Sequence, residues 1–175
     1  MTRDARLAAA RTVVAIRNAR LADAPVILAL QRAAYRSVAA QYDAPDLPPL
    51  TESMDDVRAA FATHTIIVAE HHSAHGGSPA LVGSARARTV GAVAHIGRLW
   101  VRPGLHGRGI GRQLLEAIER RVAPVARYEL FTGHRSDRAL RMYERAGYRP
   151  THTVRESATV SLTFLVKTAT PPADR

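Results

Sequence analysis

Apolar and polar positions divide the chain into short strand-like and helix-like runs. "TVVAIRNAR" (12–20) leads with β-branched residues and passes into alternation, which predicts a first strand. Val26, Leu30, Ala33 and Ala34 keep helical spacing behind Asp23, a capping residue type, and Pro25, which suits a first turn. The run "YDAPDLPPL" (42–50) must interrupt that helix, because proline lacks the backbone donor. From Thr51, "TESMDDVRAAFA" predicts a second helix with acidic residues at its positive end.

"TIIVAE" (65–70), "LVGSARARTV" (81–90) and "AVAHIGRLWV" (92–101) read as three strands, with "HHSAHGGSPA" (71–80) as a Gly- and Ser-rich loop between the first two. Ile110, Leu114, Leu115, Ile118 and Val122 share one helical face. "RYELFTG" (127–133) is a further strand. Ser136 is placed to cap a short helix, "DRALRMYERA", that Gly147 closes. "THTVRES" and "TVSLTFLVK" form a last hairpin. Consecutive strands favour antiparallel pairing and the later strand–helix–strand unit a parallel pair. The expected fold is α+β, an α/β/α sandwich: a mixed, mostly antiparallel sheet of six to seven strands with helices on both faces. A single domain over 12–167 is expected, with tails at 1–11 and 168–175.

Composition narrows the chemistry. The 175 residues include no cysteine, which removes disulfides, thiolate metal sites and a Cys nucleophile. No apolar run approaches the roughly 20 residues that span a bilayer, and the N-terminal stretch lacks the apolar core of a secretory signal, so a cytoplasmic protein without membrane association is expected. The net charge is +10, yet 24 of the 25 basic residues are Arg and they are scattered with no run of five. That pattern favours a phosphate-bearing ligand over nucleic acid. His71, His72 and His75 have no carboxylate beside them, so a solvated loop is expected there and no metal.

The richest stretch is "LWVRPGLHGRGIGRQLLEAIE" (99–119), an apolar strand, a Gly-rich turn and a helix. A helix N-terminus offers free N–H groups and partial positive charge to a phosphate, and Gly lets the ligand approach the backbone. Arg102, Arg108 and Arg112 add charge. A nucleotide-triphosphate loop would need Lys and Ser or Thr where Arg112 and Gln113 stand; a dinucleotide fingerprint would need a different Gly spacing.

This stretch resembles the cofactor motif of the GNAT acetyltransferase superfamily, with His106, Gly109 and Gly111 in its three defining slots. "SDRALRMYERAGY" (136–148) is similar to the family's second motif, and the order of elements agrees over 12–167. The resemblance implies acetyl-CoA as co-substrate. Its pyrophosphate would lie on backbone N–H groups within His106, Gly107, Arg108, Gly109, Ile110, Gly111 and Arg112, and its pantetheine along Leu99, Trp100 and Val101. It also implies that strands splay apart at that level. Two slots depart from the pattern: His106 stands where Gln or Arg is usual, and Ser136 where Asn is common.

Acetyl transfer to an amine needs a base, an oxyanion donor and an acid for the departing thiolate. Tyr143 taken alone reads equally as core; the second motif makes it the candidate acid. His95, six residues before Val101, is the candidate base on the alternation that places it with Leu99 and Val101, and a structural strand His is the competing reading. Glu70, Glu129 and Glu52 are fallbacks, as is a proton relay through water. His134 is expected to shape the ligand groove. The acceptor is expected between residues 35–55 and 152–160, which carry Tyr35, Tyr42, Asp43, Asp46, Glu52, Arg155 and Glu156. The function expected is N-acetylation of a primary amine of a small molecule or peptide by direct attack in a ternary complex, in a monomer or homodimer. A non-catalytic acetyl-CoA sensor and a protein N-terminal or lysine acetyltransferase are the alternatives.

Overall fold

The computed structural model describes residues 14–72 and 78–169. His75, Thr12 and Val13, the tail at 1–11 and all but the first two residues of the expected C-terminal tail lie outside them. The chain runs β1 (Ala15–Asn18), α1 (Ala24–Tyr42), α2 (Pro48–Thr51), α3 (Met54–Thr63), β2 (Thr65–His71), β3 (Ala80–Val90), β4 (Val93–Val101), α4 (Ile110–Val122), β5 (Arg127–Gly133), α5 (Asp137–Arg145), β6 (Arg149–Arg155) and β7 (Ser161–Thr168). One seven-stranded sheet has the order β1-β2-β3-β4-β5-β7-β6. Only β4 and β5 pair in parallel; the other neighbours are antiparallel.

Three local expectations are corrected. The second long helix starts at Met54, not Thr51, because Ser53 and Asp56 cap each other's backbone N–H groups reciprocally while Pro48–Thr51 closes a separate turn. Asp23 occupies the N-cap of α1 but does not cap it; its carboxylate accepts from Arg17 and from the Arg20 N–H instead. Ser136 likewise sits at the N-cap of α5 without a side-chain cap bond.

Helices cover both faces. One core layer joins α4 and α5 to the sheet through Leu114, Leu115, Ile118, Tyr143 and Tyr148. The other seats α1 and α3 on Ile66, Val68 and Trp100 through Ile27, Leu28 and Val57. Each such apolar side chain stabilises by roughly 1.5–3 kcal/mol on burial. The single lysine, Lys167, is used inside this frame: its Nζ lies 2.7 Å from Oε2 of the buried Glu119, whose Oε1 accepts from the Tyr148 hydroxyl at 2.8 Å.

A bulge in β4 reorganises the centre of the sheet. Ser84 pairs with Trp100 and Arg86 with Gly97, so two steps along β3 match three along β4. Arg98 takes up the extra residue with φ 48. Side-chain alternation therefore inverts there. Ala94 and Ile96 lie in the α4 layer before the bulge, Leu99 and Val101 after it. His95 consequently faces the α1–α3 side, opposite to Leu99 and Val101, which corrects the expectation from simple alternation.

Candidate active site

The turn after β4 is shaped by glycine in two ways. Gly107 and Gly109 both have φ 79, in the left-handed region where a side chain is strained, and Gly109 is the N-cap of α4. No side chain caps that helix, so its first N–H groups remain available to a ligand. A Cβ on Gly107 would meet nothing within 4 Å, which leaves room against the backbone. Gly111 answers a different need: a Cβ there would stand 3.1 Å from Met142 Sδ of α5 and 3.7 Å from both Leu99 and Val101. It lets α4, α5 and β4 converge.

The charged side chains around this turn are distributed unevenly. Arg112 Nε donates to Glu116 at 2.7 Å along the helix, so its guanidinium is engaged. Arg102 and Arg108 are exposed. Burial, and then the Arg138 charge, hold the His106 imidazole below its ordinary pKa against a hydrogen bond with the Val101 carbonyl.

β4 and β5 pair only from Val93↔Arg127 to His95↔Glu129 and then part. β5 continues against β7 as far as Gly133, so from Ile96 to Val101 β4 has no strand beside it on that side. Leu99, Trp100 and Val101 thus offer one open edge of backbone groups leading to the α4 turn. Arg98 and Leu99 also lack partners on β3 because of the bulge. The Trp100 indole Nε1 is a buried donor without a hydrogen-bond partner.

The acetyltransferase (GNAT) family model matches residues 30–148, two thirds of the chain. The chain belongs to the GNAT acetyltransferase family. Among solved GNAT structures it is similar to the PaiA N-acetyltransferase of Thermoplasma acidophilum, in complex with coenzyme A (13% identity, TM-score 0.69, 90% of this chain and 99% of that one). It is similar also to a phosphinothricin acetyltransferase of Sinorhizobium meliloti in complex with AcCoA (17%, 0.69, 89% and 88%). A third is the spermidine N-acetyltransferase of Vibrio cholerae, in complex with CoA and spermine (14%, 0.67, 89% and 95%). No curated protein matches the sequence.

Within this GNAT framework the sequence-predicted residues fall into distinct places. Tyr143, on α5, is buried, and desolvation pushes its hydroxyl well above the ordinary tyrosine range; the next influence is Tyr35 of α1, on the opposite face. His95 is half exposed, and its Nδ1 lies 3.5 Å from Glu129 Oε2. Of the fallback bases, Glu70 is bound by Arg17 at 2.7 Å, on β2, two strands away from β4. Glu52 is bound by Arg86 at 2.7 Å and Arg98 at 3.5 Å and accepts from Gln31 at 2.6 Å. Burial raises its pKa, but the Gln31 bond and the two guanidiniums outweigh this and hold it below the ordinary value, as a fixed carboxylate.

The expected acceptor segments separate. Tyr42 is a structural pin: its ring is buried, its hydroxyl accepts from the Arg135 N–H, and a Cβ on Gly133 would strike it. Asp43, Asp46, Arg155 and Glu156 are exposed. His134 packs on Tyr42 and bonds the Ser161 carbonyl at 3.0 Å. The sequence reading missed Arg86, Arg88, Gly97 and Arg98. They border a groove of about 340 Å³ beside His95. The A-R-A-R alternation of β3 carried a signal for the first two. The bulge that delivers the others left none. No cluster of three metal-ligating side chains occurs among the described residues.

Proposed function

We propose that this protein acetylates a primary amine of a small molecule or peptide by direct attack within a ternary complex with acetyl-CoA. The observation that supports the reading is the parting of β4 from β5 beyond His95↔Glu129, which opens a backbone edge on the strand that leads to an uncapped helix N-terminus. The residues present fit the co-substrate, since Gly107 leaves space and the α4 N–H groups carry partial positive charge for a pyrophosphate. Leu99, Trp100 and Val101 would pair with the pantetheine amides, and Ser136 would lie near the thiol end of the cleft.

When bound, acetyl-CoA supplies the thioester carbon that the amine attacks, and its thiol leaves. His95 takes the amine proton, so that nitrogen attacks with a free lone pair. Backbone N–H groups of the bulge, at Arg98 and Leu99, steady the developing oxyanion. Tyr143 gives its hydroxyl proton to the leaving sulfur; burial keeps that hydroxyl protonated, the form an acid requires. Solved relatives named for phosphinothricin and for spermidine share the fold, so the fold itself leaves the acceptor open.

The test is thiol release from acetyl-CoA over a panel of amines, beside calorimetric binding of coenzyme A. Tyr143→Phe is expected to lower kcat by about 100-fold with binding retained. Tight binding with no turnover on any amine would instead identify a sensor.

A further inference from the structure

The groove beside His95 has a composition that selects among acceptors. His64, Arg86, Arg88, His95 and Arg98 line it, and no carboxylate does among the described residues. The two carboxylates behind it are already engaged. Glu52 is shared by Arg86 and Arg98, and Glu129 accepts from Arg127 Nε at 2.6 Å. One carboxylate between two guanidiniums leaves a positive charge and most of their ten N–H donors unspent. Arg88 is exposed and has no ion-pair partner among the described residues. It stands directly opposite His95 in the ladder, as Arg86 stands opposite Gly97.

The floor and wall complete the shape. A Cβ on Gly97 would meet nothing within 4 Å, so the floor there is bare backbone. Phe131, about half exposed at 52%, supplies an aromatic wall from β5, on the far side of the parting. An acceptor lying in this groove would meet guanidinium forks on the β3 side, an apolar surface on the other, and His95 between them. Guanidiniums in this arrangement bind carboxylates in paired hydrogen bonds, whereas a polycation would be repelled.

Resting on the acetyltransferase reading above, we propose that the acceptor is a primary amine that also bears a carboxylate, an amino-acid-like molecule, with Arg88 and Arg86 holding the carboxylate while the amine reaches His95. This assigns Arg88 a specificity role in the same reaction.

The experiment compares matched acceptors: α-amino acids with apolar side chains, their primary amides, their decarboxylated amines, and a polyamine. The wild-type protein is expected to show kcat/KM at least 10-fold higher for the acids than for the amides. Arg88→Gln should raise KM for the acids about 10-fold, leave kcat within a few-fold, and leave the amides unchanged, while Arg88→Lys restores part of the loss. Coenzyme A binding serves as the control for folding. Equal use of acids and amides, or preference for the polyamine, overturns the proposal while leaving the acetyltransferase reading in place. The wild-type comparison decides this even if a variant does not fold. Turnover of no amine, with coenzyme A still bound, removes both.

Discussion

His95 Nδ1 stands 3.5 Å from Glu129 Oε2 at the last paired position before β4 and β5 part. Two neighbouring strands therefore set the place of one imidazole and bring a carboxylate beside its ring.

His95→Gln should reduce kcat by about 100-fold or more, with coenzyme A affinity unchanged. Glu129→Gln should give a smaller loss in kcat, since the ring loses the carboxylate that lies beside it. A His95→Gln variant that keeps the wild-type kcat would exclude His95 as the base.

His106 is predicted to make cofactor binding pH-dependent. Burial and Arg138 hold its pKa below 6.5 in the free protein, so it is neutral at pH 7. A bound pyrophosphate would favour the charged form, so coenzyme A should bind more tightly as pH falls through 6.5 toward 5.5. Binding should take up protons over that range. His106→Gln should flatten the dependence, and His106→Arg should tighten binding at pH 8. Calorimetry in buffers of different ionisation enthalpy reads all three.

Glu52 is predicted to couple stability to acid. Its folded pKa lies below the ordinary glutamate value of 4.5, so its contribution is fully present above pH 4.5 and is lost as pH falls through the folded value. Glu52→Gln should destabilise by about 2 kcal/mol at neutral pH, because Arg86 and Arg98 lose their shared counter-charge. The gap between the two proteins in urea midpoints should close as pH falls through that folded value. A gap that stays constant with pH would show that hydrogen bonding, not charge, holds this cluster.

The sites differ in how much of them was legible. The glycine turn could be read because its requirements are local: Gly107 and Gly109 need positive φ, and the face of Ile110, Leu114, Leu115 and Ile118 follows from helical period. Glu52 could not be read. Its standing as a fixed ion-pair centre depends on Arg86 and Arg98, more than 30 residues along the chain and on other elements. Ser136 and Asp23 fill capping positions by residue type, yet whether a side chain caps depends on the partners that compete for it.

By itself, the sequence determined the order of elements, the mixed sheet and the glycine turn before α4, because periodicity and glycine act over a few neighbouring residues. Tertiary structure alone decided which face His95 takes. Alternation holds only while the ladder is regular, and one extra residue at Arg98, accommodated where β3 and β4 must meet, inverts every side chain beyond it. His95 thereby shares a face with Arg86, Arg88 and Glu129, and part of a scattered surplus of arginine is gathered into one groove.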